Sequence, residues 1–249
     1  MAKPHLRQLV PPSEEAGEQP MSGAPAHGHL DFLAAIPDEY RPAVLDQCTC
    51  RSYRKGEIIW SQGDAVKAIA FVASGKVFSL FHGANGRSGA VGFWSSGDIL
   101  GAEFIAEESG IRRTSLRCVE DATIYYLEWP RFQSIVRRFP EIAYAVITAL
   151  SVRLRWAIRL AHVLQTQTAF NRVCSVLLAL AERFPAEVPQ GVAIDLDITH
   201  EDLAAVVGVS RQFMTITLHE LEHRNLITKT RRRITLTDLN QLRELTQKH

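Results

Sequence analysis

The chain has 249 residues, is 46% hydrophobic by composition and carries a formal net charge of only +1. This length fits two domains of ordinary size with packed cores. The near-neutral balance means that any polyanionic partner must be met by charge gathered locally. There is no run of about 18 apolar residues to mark a membrane span, and the opening M-A-K-P-H-L-R lacks the apolar core of a secretory signal. The four cysteines, Cys48, Cys50, Cys118 and Cys174, are sparse and scattered, so they read as reduced thiols of a cytoplasmic protein. Cys48 and Cys50 alternate along a predicted strand and share a face, but no second Cys or His pair stands nearby at ligand spacing, so no metal site is expected.

Residues 1–28 contain Pro4, Pro11, Pro12, Pro20 and Pro25 among Ala, Gly and Glu, a composition that buries little and predicts a disordered tail. A helix is expected around Asp31–Leu45. From there to about Pro140 the texture is β, with apolar strands such as Ala68–Val72, Val77–Phe81 and Ile124–Leu127 punctuated by Gly56, Gly63, Gly75, Gly97 and Gly101. Gly63-Asp64, Gly97-Asp98 and a hairpin tip at Gly83–Gly86 mark reversals. Many short strands at near-regular spacing predict a sandwich or rolled barrel for residues 29–140.

Residues 141–167 form the next unit, a long helix over Glu141–Thr166 that is apolar on more than one side. Ile142, Ala149, Trp156 and Val163 recur at heptad spacing, with Val146 and Leu160 beside them, which predicts a dimer seam. A second set, Ile147, Leu150, Leu154, Ile158 and Ala161, is then expected to pack on the β domain, since two apolar faces need two surfaces.

Residues 168–249 hold the most informative stretch, T-H-E-D-L-A-A-V-V-G-V-S-R-Q-F-M-T-I-T-L-H-E-L-E-H from Thr199 to His223. Thr199 and Asp202 form a capping-box-like start to one helix, whose stripe is Leu203, Val206 and Val207. Gly208 ends it, and Ser210 caps a second helix in which Phe213, Ile216, Thr217, Leu218 and Leu221 mix buried and outward positions. This is a helix-turn-helix pattern, with Ser210, Arg211, Gln212 and Thr215 as candidate DNA contacts. Arginine pairs bidentately with guanine, and glutamine with adenine. Leu226-Ile227 and Ile234–Leu236 then read as two strands of a wing. Its turn carries Lys229, Arg231, Arg232 and Arg233, candidate phosphate contacts.

Three motifs in the β region, K-G-E-I-I-W-S-Q-G-D, A-F-V-A-S-G-K-V and S-S-G-D-I-L-G, resemble the β-roll of the cyclic-AMP receptor protein and fumarate-nitrate reductase regulator (CRP/FNR) family. The resemblance runs from about residue 32 to 237, in the family's order of β-roll, long helix and winged helix. It implies an α+β protein: a jelly-roll-like β-roll sensor domain, a dimerisation helix and a C-terminal winged helix-turn-helix. It further implies a homodimeric transcription regulator, commonly an activator that contacts RNA polymerase, binding double-stranded DNA at a palindromic operator. The loop Pro185–Gly191 occupies the position of the family's polymerase-contacting surface.

G-A-E-F-I-A-E-E-S-G-I-R-R-T, residues 101–114, is similar to the family's phosphate-binding cassette. On that likeness Glu103 would accept a ribose hydroxyl, while Arg113 and Thr114 would hold a cyclic phosphate. The departures are Ala102 in place of a glycine, and Ala157 and Ile158 where cyclic-AMP-responsive members carry hydroxyls. A cyclic nucleotide, another small effector and no effector all stay open. An iron-sulfur cluster is not expected, because residues 1–47 contain no cysteine, and neither is haem, for which the candidate ligand is a lone strand histidine, His82. On the recognition helix Gln212 stands where many members have glutamate, and Ile216 replaces a second arginine.

No Walker loop, paired-carboxylate signature, metal-ligand quartet or G-x-S-x-G motif suggests an enzyme. The competing reading is a cyclic-nucleotide-binding regulatory or interaction module without DNA recognition.

Overall fold

The computed structural model describes residues 31–83, 88–104, 110–230 and 233–247, so the predicted tail and most of the hairpin tip at 83–86 lie outside the described residues. Asp31 caps α1 (Phe32–Ala35) by accepting from the Ala34 amide, and α2 follows at Arg41–Leu45. The single helix expected here is thus two, because Pro37 holds Ile36 in extended backbone.

Eight strands come next: β1 (Thr49–Tyr53), β2 (Ile58–Trp60), β3 (Ala68–Ser74), β4 (Lys76–His82), β5 (Ser88–Ser95), β6 (Ile99–Leu100), β7 (Ser115–Cys118) and β8 (Ala122–Glu128). They form two four-stranded antiparallel sheets, ordered β1-β8-β3-β6 and β2-β7-β4-β5. Ala70, Val72, Val77, Leu116, Cys118 and Ile124 are buried in one core cluster of this roll. Cys48 does not share a face with Cys50. Its thiol turns back to the Val44 carbonyl at 3.2 Å, while Cys50 is exposed.

Helix α3 (Trp129–Arg138) was hidden in the sequence by the β texture around it. Its signals are Pro130 in the first turn and the inward pair Phe132 and Ile135. Helix α4 (Pro140–Thr166) follows, 27 residues and about 40 Å long. Ile142, Ala145, Val146 and Ala149 are buried, with Phe32, Phe71, Leu127 and Phe132, in the core between roll and helix. The expected seam therefore needs correcting, because Val146 and Ala149 are spent inside the protomer. Trp156, Leu160 and Val163 are half-buried, and Leu160 packs toward the C-terminal domain. The set expected to pack on the roll instead leaves Ile147, Leu154 and Ile158 about 60% exposed, with Tyr144 at 73%; only Leu150 packs inward. Both faces are apolar, and periodicity alone does not say which one meets the roll.

The C-terminal domain runs α5 (Ala169–Arg183), β9 (Pro185–Glu187), β10 (Val192–Ile194), α6 (His200–Val207), α7 (Arg211–His223), β11 (Ile227–Lys229), β12 (Ile234–Leu236) and α8 (Leu239–Gln247). Its sheet has the order β11-β12-β10-β9. The stretch 185–191 is not a plain loop, since Pro185–Glu187 pairs with β10 and only the tip 188–191 turns. One apolar cluster spans this domain and reaches Phe78, Phe93 and Val119 of the roll. Ion pairs surround that contact: Arg117–Asp202 and Arg183–Asp98, both at 2.7 Å, Lys76–Asp195 at 3.0 Å, and Lys55–Asp197.

Candidate nucleic-acid interface and sensor pocket

The helix-turn-helix forms as its residues dictate. The Thr199 hydroxyl accepts from the Asp202 amide at 3.1 Å while Asp202 Oδ2 accepts from the Thr199 amide at 3.4 Å, a reciprocal cap, and also from the Thr199 hydroxyl at 2.8 Å. Gly208 closes α6 at φ 72°, a left-handed geometry that costs a side-chain-bearing residue energy. Ser210 Oγ accepts from the Phe213 amide at 3.1 Å and starts α7. Met214, Thr217, Leu218 and Leu221 anchor α7 in the core. Ile216, whose side the sequence left open, points outward with 57% of its surface exposed.

Ser210, Arg211 and Gln212 stand exposed at the N-terminal end of α7. Thr215 is only half-exposed and meets His200 Nδ1 at 3.0 Å, tying the two helices together. Burial, followed by Lys229, Arg211 and His219, holds the His200 imidazole below its ordinary value. On the wing, Lys229 pairs with Glu222 of α7 at 3.0 Å and is mostly buried, holding that carboxyl below the usual range. Arg233 is exposed and bonds Asp195 at 3.1 Å. Arg231 and Arg232 lie outside the described residues.

In the roll, Glu103 sits on a single 3-10 turn (Ala102–Phe104) facing α4, and Arg153 of that helix approaches it to 3.7 Å. The Arg153 guanidinium also lies over the Trp94 ring, 3.2 Å from its centroid. Burial pulls Arg153 down to about 10, so it stays cationic at neutral pH. Arg113, the residue assigned to the phosphate, is exposed, and Thr114 is half-buried with its carbonyl accepting from Trp60 Nε1.

The guanidinium that turns inward is Arg112. It is 6% exposed, stacks 4.0 Å from the Trp60 centroid and donates through Nη2 to the Ala68 carbonyl at 2.7 Å. Its Nη1 has no partner among the described residues, and neither has Arg153 Nη2. Gly101 admits it, since a Cβ there would stand 2.5 Å from Nη1. No sequence signal separates Arg112 from Arg113, since both precede β7 and the chain bends at residues 113–114. Ala157 and Ile158 are exposed. No group of three or more His, Cys, Asp or Glu side chains among the described residues gathers as metal ligands would. No helix there is long and apolar enough to cross a membrane.

Residues 50–139 match the model of the cyclic nucleotide-binding domain, and residues 171–245 match that of the Crp-like helix-turn-helix domain. Over 207 residues the chain is 31% identical to the cyclic AMP receptor protein of Thermus thermophilus, covering 83% of this chain and 89% of that protein. The chain belongs to the CRP/FNR family. Among other relatives of this CRP/FNR regulator, the cAMP-activated global transcriptional regulator Vfr of Pseudomonas aeruginosa is 25% identical, covering 74% and 87% of the two chains. The crystal structure of a CRP/FNR-family transcriptional regulator, also from Thermus thermophilus, superposes with a TM-score of 0.67 at 26% identity, covering 80% and 99%. The chain is therefore a transcription regulator with a helix-turn-helix DNA-binding domain behind a cyclic-nucleotide-binding-type roll.

Proposed function

We propose that the protein is a homodimeric regulator that reads a palindromic operator with α7 and answers to a small anionic signal held by the roll. The observation that carries the reading is the capped helix-turn-helix with Ser210, Arg211 and Gln212 exposed at the start of its second helix. The dimer is supported by the stripe Tyr144, Ile147, Ser151, Leu154, Ile158 and Ala161, which is exposed except at the half-buried Ser151 and alternates by three and four residues along α4. Two such protomers would present their α7 helices to half-sites about one DNA turn apart.

An anion fits the roll because the buried Arg112 Nη1 and Arg153 Nη2 each lack a partner among the described residues. The cyclic-AMP-activated relatives make a cyclic nucleotide the first candidate, with Glu103, Arg112 and Arg153 the groups to hold it. A hydroxyl at Ala157 or Ile158 is not there to select the base. Control of transcription would run through RNA polymerase, met by the hairpin tip 188–191. Pro189, Gln190 and Gly191 are exposed there, beside Glu187.

The test is selection of bound sequences from a random DNA pool, with and without cyclic AMP or cyclic GMP, followed by binding to the winning operator at several salt concentrations. A preferred two-fold-symmetric sequence is expected. Arg211→Ala should weaken it by about 1–3 kcal/mol and relax one base position per half-site. Binding that ignores sequence would instead favour an interaction module without DNA recognition.

A further inference from the structure

The outward face of α7 carries one group that hydrogen bonding does not explain. The helix buries Met214, Thr217, Leu218 and Leu221, and directly opposite them stand Gln212, Ile216, His219 and His223, all exposed. Ile216 is the exposed large hydrophobic of the C-terminal domain among its described residues. A single exposed apolar side chain is ordinary on a protein surface. What marks this one is its place: one helical turn beyond Gln212, on the same side, in the middle of the face on which the reading residues stand.

Resting on the reading of α7 as the groove helix, we infer that Ile216 reads the 5-methyl group of a thymine in each half-site. Isoleucine has no polar side-chain atom, so it bonds no base edge. The apolar feature that the major groove offers is the thymine methyl. Branching at Cβ leaves Ile216 essentially one χ1 rotamer in a helix, so little freedom is lost on contact. Cytosine carries only a C–H at that position, so the apolar contact with the methyl is lost. The side chain therefore favours thymine over cytosine. The contacted pair should neighbour the one read by Gln212, inward along the helix from the pair read by Arg211.

The experiment uses the full-length protein and the operator recovered by pool selection. Each thymine is exchanged in turn for deoxyuracil, which removes one methyl and keeps the pairing and groove hydrogen bonds, and binding is followed by fluorescence anisotropy. At one position per half-site the exchange should weaken the wild type about fourfold, the worth of one buried methyl. Ile216→Ala, a helix-favouring change at an exposed site, should bind thymine and uracil operators alike while keeping its preferences elsewhere. Ile216→Val should fall between. A preferred operator with no uracil-sensitive position, or unchanged sensitivity in Ile216→Ala, overturns the role of Ile216 alone. A pool that yields no preferred sequence brings down the reading of α7 and this inference with it.

Discussion

At the residue scale, His200 couples the two helices of the reading head to pH. Its imidazole meets Thr215 in a basic neighbourhood of Lys229, Arg211 and His219, at the first position of α6. Its folded pKa lies below the ordinary 6.5, so just under that pH the unfolded chain binds more protons than the folded one. The stability it supports is present above about pH 6.5 and is lost as pH falls through the window below. The thermal midpoint of the wild type should thus drop faster on acidification from about pH 7 to 5 than that of His200→Asn. Parallel midpoint-against-pH curves for the two proteins would remove His200 from this role. The residue scale also shows what a motif alone misses. Ser210 and Gly208 were legible because a cap and a left-handed turn are local chemistry. The choice between Arg112 and Arg113 was not, because the two are adjacent just before β7, where the chain bends, and the path of that bend decides which one turns inward.

At the scale of elements, α4 is a helix with two apolar stripes and one roll to pack on. The helix itself was legible to within a residue, as was the second strand of the wing, while the first, read at Leu226-Ile227, runs on to Lys229. Its facing was not, since Val146 and Ile147 are adjacent apolar residues and only the shape of the roll core chooses between them. In the proposed dimer the seam would run through Leu154, and burying a charge there would part the helices. Leu154→Glu should sediment as a monomer at micromolar concentration and bind the operator poorly. Trp156→Glu, off the exposed stripe, should perturb assembly less. A Leu154→Glu protein that stays dimeric would place the seam elsewhere. Helix α3 escaped the sequence reading for a similar reason: a ten-residue helix set between strand β8 and the long helix α4 offers few turns of periodicity, and its proline start is easily taken for a strand end.

At the scale of the whole molecule, the roll and the reading head meet through charges of opposite sign. Lys55, Lys76 and Arg117 on the roll face Asp197, Asp195 and Asp202 on the head, while Asp98 and Arg183 run the other way. Arg117–Asp202 is the pair set on the helix-turn-helix itself. Arg117→Ala should cost about 1–3 kcal/mol, below the figure for a fully buried pair because Arg117 keeps a third of its side chain in water. Amide hydrogen exchange should quicken first at the start of α6. Exchange that quickens only with global unfolding would argue that the pair does not support that helix. The two oxygens of Asp202 are divided: Oδ1 takes the Arg117 guanidinium, and Oδ2 takes the Thr199 hydroxyl of the helix cap. Modularity is thereby limited. A chimera that grafts this reading head onto a foreign roll would inherit the cap but leave Oδ1 unmatched in a nearly closed site. Such a graft would need an arginine restored at the facing strand before its first helix held as it does here.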